Sequence, residues 1–155
     1  MPAESIDLII AAQAFHWFNQ PLFKKECQRI LTPHGQVALV WNSRVADSPL
    51  VRKSSAINQM WCPEFTGFSG EKTESPEIFQ AFFKHGHYSV RSYDSPLVYD
   101  RNHFIGRQLS ASYAPKKGDS SYEPFIQAFS ALFDQYENEG TITVPNVTSV
   151  YLGSV

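Results

Sequence analysis

The 155 residues hold no apolar run near the ~20 that a membrane span requires, and no basic, then apolar, opening of the signal-peptide kind. Only two cysteines occur, Cys27 and Cys62, far apart in the chain. That usage excludes a disulfide framework and suits a reducing, cytoplasmic setting. Neither sign of charge dominates: 13 Lys and Arg stand against 15 Asp and Glu, a formal net charge of -2. The balance argues against nucleic acid and against an anionic membrane surface as partners. Glycine is absent from the whole first part of the chain. The first is Gly35, and no G-x-G triplet occurs anywhere, which counts against a glycine turn that would let backbone N–H groups approach a nucleotide closely.

What is present is the composition of a globular protein, 43% hydrophobic and 18% charged, with a high aromatic share of 14%. No repeat, low-complexity tract or linker divides the chain, so residues 1–155 read as a single domain able to bury roughly 70% of its unfolded surface. Ile6–Ala12 is an apolar run and leads through a polar and aromatic corner, Gln13–Asn19. Leu22, Phe23, Cys27, Ile30 and Leu31 then recur at helical spacing behind Asn19 as cap and Pro21 in the first turn. The turn Pro33-His34-Gly35 closes that helix, and Gln36–Trp41 is a second apolar run. This is one β-α-β unit with a short crossover, which implies two parallel strands buried on both faces. Ligands of such sheets sit at the carboxyl ends of the strands. Those ends carry Gln13, His16, Trp17 and Phe18 after the first strand, and Asn42 and Arg44 after the second.

Further on, the pattern predicts a helix from Ser48 to about Cys62, capped by Ser48, and a loop from Pro63 to Ser75. A short helix from Pro76 to His85 follows, capped by Ser75 and stopped by Gly86. A strand over Tyr88–Tyr99 with a bulge at Pro96 comes next. Helices over Arg101–Tyr113, capped by Asp100, and over Tyr122–Asn138 lead to an extended segment, Thr141–Leu152, that should pair antiparallel with the Tyr88 strand. Phe79, Phe82 and Phe83 form an aromatic stripe best read as core. His85-Gly86-His87 has no acidic or thiol partner nearby, and a helix end followed by a strand start explains it, so no metal is expected.

The two stretches AESIDLIIAAQAFHWFNQ (Ala3–Gln20) and FKKECQRILTPHGQVALVWNSR (Phe23–Arg44) resemble the second half of a class I S-adenosylmethionine-dependent methyltransferase. The resemblance is to the small-molecule, type 11-like subgroup whose fourth strand ends in Ala-Gln-Ala-Phe-His-Trp-Phe, here Ala12–Phe18. Thr141–Gly153 resembles the last strand of the same subgroup. The resemblance implies a partial Rossmann-like α/β fold of about four strands, a mixed sheet with an antiparallel C-terminal hairpin, and helices on both faces. It also implies S-adenosylmethionine as cofactor and a small-molecule methyl acceptor. By this alignment the chain is the C-terminal portion of the fold, without the three strands that carry the glycine-rich turn and the acidic residue for the ribose.

On the same footing Ala3, Glu4 and Gln13 would flank the cofactor. Trp17, Phe18, Asn42 and Arg44 would line the acceptor pocket. His16 would serve as general base where the acceptor must lose a proton, since imidazole titrates near neutrality. Each has a plain structural reading as well: a ring packed at a corner, an amide closing a turn, a surface ion pair. Without its neighbouring strand, Ile6–Ala12 would be an apolar edge open to self-association or to a partner chain. A non-catalytic remnant acting through that strand is therefore the alternative to an enzyme.

Overall fold

The computed structural model describes residues 1–68 and 76–155. Gly70 and the expected cap Ser75 lie outside the described residues. The rest form two compact units, the first from residues 1–43, 76–93 and 148–155, the second from residues 44–68 and 94–147. Along the chain run β1 (Ile6–Ala12), α1 (Gln20–Ile30), β2 (Leu31–Arg44), α2 (Pro49–Trp61), α3 (Pro76–Phe82), β3 (Ser89–Asp94), β4 (Leu97–Asp100), α4 (Arg101–Leu109), α5 (Tyr122–Tyr136), β5 (Thr141–Val144) and β6 (Asn146–Gly153).

The first unit is built on a four-stranded sheet of order β1-β2-β6-β3. β1 and β2 are parallel, with Ile9 opposite Val37 and Ala11 opposite Leu39, as a β-α-β crossover demands. β6 and β3 run antiparallel: Ser89 meets the Leu152 carbonyl while Ser92 meets Ser149. The mixed sheet and its helices are the Rossmann-like arrangement expected. Alternation sorts the side chains of β1 and β2. Ile9, Ala11, Val37, Leu39 and Trp41 join a core with Phe23 and Cys27 of α1 and Phe79 and Phe82 of α3. Leu8 and Ile10 point the other way and are 49% and 62% exposed.

Several local readings change. The Pro33–Gly35 turn is part of β2, not a break before it. Register jumps between the pairs Ile6–Leu31 and Leu8–Gln36, so β2 bulges there. Pro33 has no N–H to give to the ladder. A Cβ on Gly35 would stand 3.0 Å from the Ile6 carbonyl oxygen and 2.8 Å from Leu31 Cδ2, so only glycine lets the bulge lie this close. Thr32 Oγ1 donates to Asp7 Oδ1 at 2.9 Å, which accounts for an acid inside an apolar strand. Asn19 caps α1 as expected, accepting from the Leu22 N–H at 3.2 Å, but Leu22 itself is 65% exposed and not on the inner face.

The second unit packs α2, α4 and α5 around an antiparallel pair, β4 and β5, in which Leu97 faces Val144 and Asp100 faces Thr141. Phe125, Phe129, Leu132 and Phe133 of α5 are buried, the stripe predicted from spacing. Phe104 of α4 and Leu50 and Val51 of α2 meet them. Helix α4 stops at Leu109, short of the predicted Tyr113. Ser48 holds the cap position of α2, yet its side chain makes no cap hydrogen bond. The inner face of α2 instead carries a polar ladder. Ser54 donates to the Leu50 carbonyl (2.9 Å) and Asn58 to the Ser54 carbonyl (2.8 Å), so these buried groups are satisfied within the helix. The two long strands read from the sequence are each interrupted, after Asp94 and after Val144, beside Pro96 and Pro145, whose missing N–H groups cannot serve a continuous ladder.

Candidate functional site

The carboxyl ends of β1 and β2 meet at a corner held by hydrogen bonds that the chain makes to itself. Gln13 leaves β1 with φ of +51°, a left-handed conformation few side chains adopt. Two bonds hold it there. Its N–H donates to the Val40 carbonyl at 2.9 Å, and its Nε2 donates to the Asn42 carbonyl, also at 2.9 Å. Asn42 Oδ1 in turn accepts from Thr148 Oγ1 of β6 at 2.6 Å. A row of neutral polar groups therefore crosses three strand ends, from Gln13 through Asn42 to Thr148.

A short 3-10 turn, Phe15–Trp17, follows, closed by Trp17 N–H on the Ala14 carbonyl (2.9 Å) and Phe18 N–H on the Phe15 carbonyl (3.1 Å). The turn sends Phe15 inward, where it is fully buried against Phe82 (ring centroids 4.8 Å), Phe23 and Trp41. It turns His16 and Trp17 outward: His16 is exposed, and Trp17 is 80% exposed beside it at 4.8 Å. Phe18 lies half-way, 40% exposed, with its ring 4.7 Å from Phe23. Phe15 is thus the anchor that fixes where the rest of the corner points. Sequence reasoning did not single it out, because Trp17 and Phe18 stand within three residues of it and only the fold shows which ring is buried.

The expected residues do not all come together. Gln13, His16, Trp17, Phe18 and Asn42 belong to the corner. Ala3 and Glu4 stand at the other, amino end of β1, where the Glu4 N–H donates to the Arg29 carbonyl at 3.1 Å; the seven residues of β1 separate them from Gln13 by roughly 20 Å. Arg44 belongs to the second unit, with its guanidinium carbon 4.1 Å above the Phe68 ring, a cation–π contact. Thr148, 106 residues from its partner Asn42, had no local signal to reveal it.

The corner's donor set is neutral. Among the described residues Gln13, His16, Asn42 and Thr148 bring no carboxylate to hold ribose hydroxyls, and no glycine turn lies beside them to admit a nucleotide. By themselves these groups do not fit the ribose end of a nucleotide-like cofactor. The nearby Cys27 adds no nucleophile: burial pushes its thiol up to about 11, so the reactive thiolate is disfavoured. Among the described residues no three His, Cys, Asp or Glu side chains are grouped to hold a metal, and no helix is long and apolar enough to cross a membrane.

Comparison with known proteins agrees with the corner's sequence. A family model for the methyltransferase domain matches residues 1–39. Two uncharacterized proteins of Schizosaccharomyces pombe, one called methyltransferase-like and one a methyltransferase, are 46% and 44% identical over 54 residues. That stretch is 35% of this chain and only 21% and 22% of those proteins. A solved structure from Anaeromyxobacter dehalogenans, assigned as a type II methyltransferase, superposes with a TM-score of 0.61. It is 16% identical, over 99% of this chain and 66% of that one, a likeness of fold. The chain thus spans about a fifth of the curated relatives it matches. The resemblance to class I methyltransferases read from Ala12–Phe18 is borne out.

Proposed function

We propose that this chain supplies the acceptor-side wall of an S-adenosylmethionine-dependent methyltransferase acting on a small molecule. The observation that carries the reading is the Gln13–Asn42–Thr148 row, which joins the carboxyl ends of the parallel strands β1 and β2 to the start of β6, with Gln13 inside the segment that matches the methyltransferase domain. Methyl transfer to a nucleophile is an in-line displacement, so the protein's main tasks are to hold the acceptor and exclude water. Gln13 and Asn42 hold its polar atoms. Trp17 and Phe18 shield its apolar part. His16 takes a proton where the acceptor must lose one.

The chain's own residues do not fit the cofactor side. No glycine precedes Gly35, and the Gln13 Nε2 is engaged by the Asn42 carbonyl. Calorimetry of the purified 155-residue chain with S-adenosylmethionine should therefore show weak binding or none, and micromolar binding would overturn the division into two walls. A folded chimera carrying the glycine-loop half of a class I methyltransferase ahead of Met1 should bind the cofactor at micromolar concentration. A folded chimera that does not bind would sink the methyltransferase reading itself.

A further inference from the structure

Helices α1 and α3 of the first unit leave a cleft of about 240 Å3 between them. Among the described residues Gln20, Pro21 and Lys24 of α1 and Ile78, Ala81 and Phe82 of α3 line it, and no member of the corner's polar row does. Positions i and i+4 of one helix thus meet positions i, i+3 and i+4 of the other, the residues that share a helix face. Phe82, 3% exposed, ties the cleft to the core. Lys24 is the one charged residue in that lining, and it is half-buried. Its Nζ donates to the Ala81 carbonyl at 2.7 Å, in the last turn of α3, where helix carbonyls run out of N–H partners. This contact holds the ammonium at the cleft without neutralising it, since it uses one of three N–H donors on a neutral acceptor. The ion pairs among the described residues are Glu26–Arg29, Asp100–His103 and Arg101–Asp134, and none engages Lys24.

We infer that this cleft binds a small monocarboxylate with an apolar body, its carboxylate on the Lys24 ammonium and its body against Pro21, Ile78, Ala81 and Phe82. Charge and polarity select the class. An apolar lining with a single cation complements an amphipathic monoanion, whereas a second negative charge would lose hydration without a second cation to meet it. Size narrows it. The cleft is smaller than the roughly 300–1,000 Å3 of pockets for drug-sized ligands, so a nucleotide-sized cofactor does not fit and a ligand on the scale of benzoate does. The Ala81 carbonyl adds preorganisation, because a lysine already held in place gives up less side-chain freedom on binding. The cleft is separate from the acceptor corner, so the inference does not depend on the methyltransferase reading.

The test follows the backbone amide signals of the 15N-labelled 155-residue chain by NMR, with sodium benzoate and, separately, benzyl alcohol as probes at matched ionic strength. Benzoate should move the signals of Lys24, Ile78 and Phe82 at concentrations about tenfold lower than benzyl alcohol, the worth of one charge-assisted hydrogen bond. Lys24→Met keeps the apolar stem and should bring the two probes to the same concentration. Lys24→Arg should keep the preference for benzoate. A lysine that only caps α3 would lose stability in Lys24→Met and leave the preference unchanged. If that variant does not fold, Ala81→Leu, at an exposed position, should fill the cleft and remove the benzoate response with Lys24 in place. No benzoate response at these residues, an equal response to both probes, a preference that survives Lys24→Met, or a response that survives Ala81→Leu overturns the inference.

Discussion

The two units treat their polar groups in opposite ways. In the second, Ser54 and Asn58 are buried and spend their hydrogen bonds within their own helix, under a closed core of Phe104, Phe125, Phe129 and Phe133. In the first, Gln13 and Asn42 are exposed and reach across strands to bond. Exposed apolar side chains occur in both units, Met60, Leu97 and Val98 among those of the second. Leu8, Ile10, Trp17, Phe18 and Leu22 of the first unit are exposed, whereas the apolar stripe of α5 is covered. A satisfied polar ladder in a closed core is how a scaffold is built. Exposed polar groups at a strand end, beside the exposed rings of Trp17 and Phe18, are what the proposed acceptor wall rests on.

Core truncation should break the comparison most sharply. Phe15→Ala and Phe129→Ala each remove a fully buried ring, and each should cost about 3–5 kcal/mol in urea unfolding. Only Phe15→Ala should also shift the side-chain amide signals of Gln13 and Asn42, because Phe15 sets the turn beside them. Equal disturbance of those signals by Phe129→Ala would mean that the corner has no local anchor.

A smaller effect is expected at the edge of the first sheet. β1 is the outermost strand of its sheet among the described residues, and we propose that it associates with a second copy or a partner chain. Sedimentation of the 155-residue chain should show association that Ile10→Lys weakens, since a charge on an apolar edge blunts pairing. A wild-type chain that stays monomeric at high concentration would remove this edge from consideration.

The smallest effect belongs to the second unit. Asp100 caps α4, accepting from the His103 N–H at 2.8 Å and meeting the His103 ring at 2.8 Å. The backbone N–H first, and the ring second, hold its carboxyl below the ordinary carboxylate range. A carboxylate whose pKa is lower folded than unfolded stabilises fully above the unfolded value near ~4 and loses that contribution as pH falls through the folded value. Asp100→Asn keeps a good cap without the charge. Acid unfolding followed by circular dichroism should therefore flatten slightly in the variant, and an unchanged acid limb would assign the carboxylate no part in it.

Much of this architecture was legible because local chemistry and tertiary structure agreed. Asn19 and Asp100 cap the helices they were expected to cap, and the stripe of α5 is buried as its spacing required. The misreadings share one cause, which is that burial is decided by neighbours far along the chain. Leu22 sits at helical spacing with Phe23 and Cys27, yet is exposed. Pro33 and Gly35 carry turn chemistry, but β1 recruits them into a bulge. Ala3 and Glu4 flank the matched motif in sequence and stand a strand's length from the corner in space.

By itself the sequence determined the β-α-β unit, its polar corner and the family to which that corner is related. Those depend on alternation, caps and a motif only a few residues long. Only the tertiary structure decided that Phe15 anchors the corner while His16 and Trp17 face outward, and that Thr148 reaches Asn42 from 106 residues away. The physical reason is directional. A side chain's hydrogen-bonding ends and its exposed face are set by which strand lies alongside, and strand order is a property of the folded sheet, not of any segment read alone.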